Sequence, residues 1–375
     1  LKDLIIVGAG PVGSHLAQKM SEKNKDVLVI ERSKEVGKPL ACSGHVSPDI
    51  WDFVPKGSKQ RLEQNQINGA RFHTENGSKF PFYKNETVSY VIDRVELDKL
   101  KAEQAEKAGA EFHLGETVEE VIETEDSVTV KTDKDDYKAK MAAGCDGASS
   151  KVRDELNLPE PDHFYQGILC FSDEDDSQDF VDVFLEVPEF FGWRIPRGDS
   201  VEYGVAVPRG EEPVKWLNKI TDKYIDREDQ KNICAGAIPI KPAETVTSNR
   251  IFLVGDAAGQ TKPFTGGGIL YGMRCAGAAA KQIDVEKPDT LKNYENEWRN
   301  QIGTDIRLGG FIEKFYSTPE IFQKIGMSVF QGEIGVHMDR PTSLFSLNQL
   351  KAFLSFPENE VKKSGETLDT KGESN

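Results

Sequence analysis

The sequence predicts an α/β protein: a dinucleotide-binding domain interrupted twice by β-rich segments, with a helical C-terminal region appended. Three observations predict it. The apolar run Leu4-Ile5-Ile6-Val7 leads straight into Gly8-x-Gly10-x-x-Gly13 and an apolar-periodic helix. Strand-like segments with turn signals fill 60–90 and 165–210. Apolar residues spaced by four (Tyr294, Trp298, Ile302, Ile306) mark a late helix.

The elements follow in order. Residues 4–7 read as a buried strand, and Val12, Leu16 and Met20 recur every four residues on one helix face. Val27-Leu28-Val29-Ile30 is the next strand, closed by Glu31. Residues 71–73 and 79–82 flank Glu75-Asn76-Gly77-Ser78, a hairpin signal. A helix is expected over 94–109, stopped by Gly109, and a hairpin over 118–122 and 128–132. Strands are expected at 180–185, 191–196 and 201–207, the last two joined at Arg197-Gly198-Asp199. A helix should follow over 213–226, then a strand at 251–254, a helix over 266–283 and a mostly helical stretch over 290–355. Beyond Pro357 only Val361 and Leu368 are large and apolar, which predicts a disordered tail.

Composition excludes several classes. With 375 residues, two to three domains are expected at about 150 residues each. The formal charge of −16 argues against a globally basic nucleic-acid binder. No apolar stretch is long enough to span a membrane. No charged and apolar leader precedes the first strand, so no secretory signal is expected. The five cysteines, at 42, 145, 170, 234 and 275, form no C-x-x-C pair, and the six histidines are scattered. Neither a disulfide framework nor a metal site is expected, and a cytoplasmic location is the simplest.

The glycine turn carries the first chemical signal. Gly8 permits the tight turn, Gly10 lets backbone approach a pyrophosphate, and Gly13 lets helix and strand pack closely. Glu31 lies 18 residues after Gly13, where a carboxylate accepts from ribose hydroxyls and repels a 2′-phosphate. The fingerprint alone does not choose between FAD and NAD.

Two later segments do. Gly144-Cys145-Asp146-Gly147-Ala148 through Arg153 resembles the second motif of the flavoprotein hydroxylase superfamily. Leu253-Val254-Gly255-Asp256-Ala257-Ala258-Gly259, with Pro263 and Gly266-Gly267-Gly268-Ile269, resembles its third. The resemblance implies FAD, with Asp256 on the ribityl chain. Within that superfamily, three further segments resemble the geranylgeranyl reductase family: Lys38 to Gly44 with Cys42, Val91 to Asp98 with Arg94, and Phe191-Gly192-Trp193-Arg194-Ile195-Pro196 followed by Gly204-Val205-Ala206. Ile195 stands where the family has Phe, and Ala206 where it has Gly. The likeness runs over about 4–285, most of the chain.

The resemblance implies a Rossmann-like FAD-binding domain (1–57, 88–157, 246–285), a β-sheet substrate-binding domain (58–87, 158–245), a helical region (286–355) and a tail (356–375). It implies FAD contacts at Gly8, Gly10, Gly13, Glu31, Cys42, Ser43, His45, Arg94, Val118, Asp256, Gly268 and Ile269. It also implies a hydrocarbon wall at Phe191, Trp193, Ile195 and Pro196; alternation along a strand puts the first three on one face. The expected activity is saturation of geranylgeranyl chains in ether-lipid precursors, by hydride from reduced flavin and a proton. Cys42 and His45 are the titratable candidates for that proton. The electron donor is left open among ferredoxin, a reduced deazaflavin and NAD(P)H. Region 294–330 suits either core packing or a peripheral contact at the inner face of the cell membrane. The alternatives are a flavin-dependent halogenase or hydroxylase, since Phe-x-Trp-x-Ile-Pro is near the halogenase signature, and a prenyl-binding protein without redox chemistry.

Overall fold

The computed structural model describes residues 1–39, 42–333 and 337–341. Its first sheet has the strand order Glu111–Leu114, Val27–Glu31, Lys2–Val7, Asp136–Gly144, Val128–Thr132, Val118–Glu123, and Ile251–Leu253 also pairs with Asp136–Gly144. The pairs joining 111–114, 27–31, 2–7, 136–144 and 251–253 are parallel, and the last two strands of the order form an antiparallel extension. The parallel strands are apolar without alternation and buried on both faces: Leu4, Ile5, Ile6, Val27 and Val29 are completely buried. Helix Pro11–Ser21 packs on these strands, and helices Arg94–Ala108 and Ile269–Gln282 pack against it in the same layer. Arg94–Ala108 is bounded by local chemistry. Asp93 caps it by accepting from the Glu96 amide at 3.0 Å, and Gly109 ends it at φ +106°.

The second sheet runs Lys231–Ile240, His163–Ser172, Val201–Pro208, Gly192–Pro196, Phe180–Phe184, Gly69–His73, Lys79–Tyr83, Gly332–Glu333. It is antiparallel except where 69–73 meets 180–184 and 332–333 meets 79–83. Strands His45–Val46, Ser89–Ile92 and Glu63–Ile67 form a small third sheet. Helix Pro213–Thr221 lies on one face of the second sheet, where Leu217 and Ile220 pack on Val201, Tyr203, Val205 and Val207. The residues between these, Glu202, Gly204 and Ala206, therefore face the other way, toward the first sheet's loops.

Helix Leu291–Tyr316 joins the two cores. Tyr294, Trp298, Ile302 and Ile306 pack into the first, and Tyr316 into the second. The spacing by four is thus core packing in this half of the helix.

Three expectations need correcting. The helix expected over 213–226 stops at Thr221, where Asp222 caps it. The helix expected from 266 begins at Ile269, because Gly266 sits at φ +68° in the preceding turn. The helical stretch is broken into Leu291–Tyr316 and Glu320–Phe330 by Pro319, and a short strand, Gly332–Glu333, follows. The expected tail, and helix beyond 341, lie outside the described residues. No described helix is long and apolar enough to cross a membrane.

Candidate functional site

The loops after the parallel strands Lys2–Val7, Asp136–Gly144 and Ile251–Leu253 converge on one crevice at the strands' carboxyl ends. In the tight turn, Gly8 holds φ +103°, and a Cβ on Gly13 would lie 2.0 Å from the Gly8 carbonyl oxygen. Gly10 has open space where a Cβ would project and lines the cavity with Pro11. Glu31 is tied to the turn: one carboxylate oxygen accepts from the Ala9 amide at 2.9 Å and the other from Ser33 at 2.8 Å. Each oxygen keeps a lone pair for a ribose hydroxyl.

The crevice widens into a cavity of about 1070 Å³ whose other wall is the second sheet. That exceeds the roughly 300–1,000 Å³ of ordinary small-molecule pockets. It suits a cofactor ring and a long apolar substrate together. Asp256 projects into the cavity with no hydrogen-bond partner for its carboxylate among the described residues, and burial raises its pKa to about 6, opposed by Arg94. A buried carboxylate in that state calls for donors such as ribityl hydroxyls. A Cβ on Gly268 would meet its Oδ1 at 2.3 Å, so only glycine fits beside it. One Arg94 nitrogen donates to both oxygens of Asp98, at 2.9 and 3.0 Å, while its buried Nε has no partner among the described residues. Burial opposes the Arg94 charge, but Asp98 and the adjacent Cys42 outweigh it and raise the pKa.

The opposite wall is aromatic. Phe190 and Phe191 stack at 4.3 Å, and Phe191 meets Trp193 and Tyr316 edge-on at 6.1 and 5.5 Å. Trp193 pairs across the sheet with Gly204, where a Cβ would lie 2.2 Å from the indole Cζ2. This glycine, eight positions after Pro196, therefore makes room for the indole. The indole nitrogen donates to Glu202 at 2.8 Å, and Arg197 donates to the other Glu202 oxygen at 2.9 Å. The same Arg197 nitrogen donates to the Ser43 carbonyl at 2.6 Å. Glu202 is 0% exposed and Arg197 5%, so a fully buried ion pair links the aromatic wall to the Cys42–Ser43 loop.

The structure brings Gly10, Cys42, Ser43, His45, Arg94, Asp256, Gly268 and Ile269 onto the cavity, together with Phe191, Trp193 and Ile195. Gly8, Gly13 and Glu31 shape the adjoining turn. Val118 lies near the Glu31 end of the crevice, two residues after Glu116, whose amide donates to the Glu31 carbonyl at 2.9 Å. Pro196 alternates away from the cavity, its carbonyl accepting from Asn65 at 3.0 Å. His45 shares a 2.7 Å hydrogen bond with Ser89, and burial together with the Lys262 charge lowers its pKa to about 4. Sequence reasoning missed Arg197, Glu202, Lys262 and Asp339. Lys262 is buried beneath Gly267 and paired with Asp339, which Ser47 also contacts. The one signal for Glu202 was a carboxylate at an inward position of an otherwise apolar strand.

A glycine turn at a helix N-terminus, a ribose-facing glutamate and an unpartnered buried aspartate over a glycine-only helix start define a dinucleotide-binding flavoprotein. The chain belongs to the FAD binding domain family, whose model matches residues 2–303, and FAD is its cofactor. It is similar to the digeranylgeranylglycerophospholipid reductase of Methanosarcina acetivorans, 29% identical, covering 84% of each chain. The enzyme of that name from Methanothrix thermoacetophila is 28% identical, covering 84% of this chain and 87% of that one. A geranylgeranyl bacteriochlorophyll reductase-like structure from Thermoplasma acidophilum shares the fold at TM-score 0.80 and 21% identity, covering 94% of this chain and 99% of its own.

Proposed function

We propose that this protein is an FAD-dependent reductase that saturates carbon–carbon double bonds in the geranylgeranyl chains of isoprenoid ether lipids. The single observation that carries the reading is the apolar aromatic wall facing the FAD crevice across one cavity. Gly10, Glu31 and Asp256 would hold FAD, which when reduced would supply hydride to one alkene carbon. The chain's residues do the rest. Phe191, Trp193 and Ile195 hold the hydrocarbon and exclude water. An isolated alkene is a poor hydride acceptor, so a proton must reach the second carbon from a positioned acid.

Cys42 suits that step better than His45. Cys42 lines the cavity with Arg94 beside it and, among the described residues, has no competing hydroxyl partner of the kind His45 has. His45, with its pKa lowered to about 4, is neutral near pH 7 and engaged with Ser89, so it orients the loop. The relatives' names support the lipid substrate. The halogenase alternative is not favoured, because Phe191 occupies the position of that signature's first tryptophan.

The test is anaerobic. The purified holoprotein is reduced with dithionite, given a geranylgeranyl ether phospholipid, and the product masses are read. A ladder of masses rising by one dihydrogen per step is expected. Unchanged lipid with normally reduced flavin would overturn the substrate assignment. In the same assay Cys42→Ser should slow saturation by about 100-fold, the low end for loss of a general acid, whereas His45→Gln should cost only a few-fold.

A further inference from the structure

We propose that the outer face of helix Glu320–Phe330 docks on a lipid bilayer, and that the cavity opens beside it so that lipid enters without crossing water. What enters rests on the reductase reading; the docking surface does not.

This helix is amphipathic in reverse. A surface helix ordinarily turns polar residues outward. Here Gln323 is buried and donates to the Tyr316 carbonyl at 3.0 Å, with Met327 one turn on. Outward stand Ile321, Phe322 and Ile325, at 63, 60 and 56% exposure. These side chains are consecutive on the helix surface, at i, i+1 and i+4, so they form a patch. Contiguous apolar surface of this kind marks an interaction site.

The same helix is cavity wall. Gly326 and Met327 line the cavity from its inner side, and Val329 lines it while 42% exposed, which puts the mouth at the edge of the patch. A lipid whose chains enter there keeps its headgroup outside, beside Ile321 and Phe322. With a net charge of −16 the protein is not drawn to anionic headgroups, so the contact is apolar and insensitive to salt. Lys324, 3.2 Å from Glu320 and between Phe322 and Ile325 in the helix, flanks the patch where a long basic side chain reaches headgroup level.

Two other occupants are the chain's own apolar segment 343–356, with Leu344, Phe345, Leu347 and Leu350, and a second copy. The experiment separates them. Holoprotein is floated with phosphatidylcholine vesicles at low and high salt. Wild type should float at both, and Ile321→Glu/Phe322→Glu should partition on the order of 100-fold less. Its flavin content, melting temperature and turnover of detergent-dispersed lipid should not change. Wild type remaining in the aqueous fraction, or the variant floating equally, overturns the surface. Turnover of dispersed lipid judges the reductase reading separately. A photoreactive benzophenone in place of Phe322 should attach to phospholipid; an adduct with 343–356 or with a second copy overturns the proposal.

Discussion

The two walls of the cavity are built from different materials. On the cofactor side the shape is backbone: Gly8, Gly13 and Gly268 have no room for a Cβ, and loops rather than side chains outline the crevice. On the substrate side the shape is side chain: Trp193, Phe191 and Phe190 form the surface, and a buried ion pair holds it. A pyrophosphate is recognised by amides at fixed distance, which glycines permit. A hydrocarbon offers no hydrogen bonds, so only area and shape can recognise it. Substitutions should therefore separate the walls, one by flavin content and the other by lipid turnover.

The largest effect should come from the substrate side. Glu202→Ala leaves Arg197 buried, charged and without its carboxylate. Breaking such a pair costs about 4 kcal/mol, read as a lowered urea midpoint. The Trp193 indole and the Ser43 carbonyl both lose a fixed neighbour, so turnover should fall further than flavin content. Equal loss of both would show that the ion pair supports the fold alone.

Gly13→Ala breaks the other side. Its Cβ would meet the Gly8 oxygen at 2.0 Å, and that atom is backbone and cannot yield cheaply. A cost of about 3 kcal/mol is expected, and the protein should purify without flavin. Retention of full flavin would remove the glycine turn from the cofactor site.

The asymmetry also explains what the sequence could reveal. Gly8, Gly10, Gly13 and Glu31 were legible because a strand–turn–helix–strand unit encodes its own contacts within about thirty residues. Phe191, Trp193 and Ile195 were legible as one face of a strand, but which way that face points is decided by helix Pro213–Thr221 covering the other side. The Arg197 to Ser43 bond spans 154 positions and Lys262 to Asp339 spans 77, and no local pattern specifies such pairings. Pro196 was read with the strand segment it ends, and the chain turns it away from the cavity.

A smaller effect isolates the hydrocarbon wall. Trp193→Ala removes the indole but leaves the glycine turns untouched. Loss of about 2 kcal/mol of apolar contact predicts roughly 30-fold lower kcat/KM for lipid, with flavin content and its absorption spectrum unchanged. Gly204→Ala should reproduce part of the loss, since its Cβ would displace the indole. A variant as active as wild type would mean that the substrate lies elsewhere.

The smallest effect sharpens the cofactor side by pH. Asp256 has its pKa raised from 3.8 to about 6 by burial, with Arg94 opposing. The folded apoprotein thus holds this proton more tightly than the unfolded chain does. The stability from the protonated carboxyl is fully present below about pH 3.8 and is lost as pH rises through about 6. Asp256→Asn cannot ionise and avoids that loss. Apoprotein carrying it should be more stable than wild-type apoprotein at pH 7 by on the order of 2 kcal/mol, and the gap should close near pH 4. With FAD bound the order should reverse, because ribityl hydroxyls donate to the carboxylate and the amide accepts less well. Urea unfolding of both proteins at both pH values, with and without FAD, reads all four cases. A wild-type apoprotein equally stable to its variant at pH 7 would mean that the carboxylate is already satisfied, and that its place over the glycine-only helix start is structural.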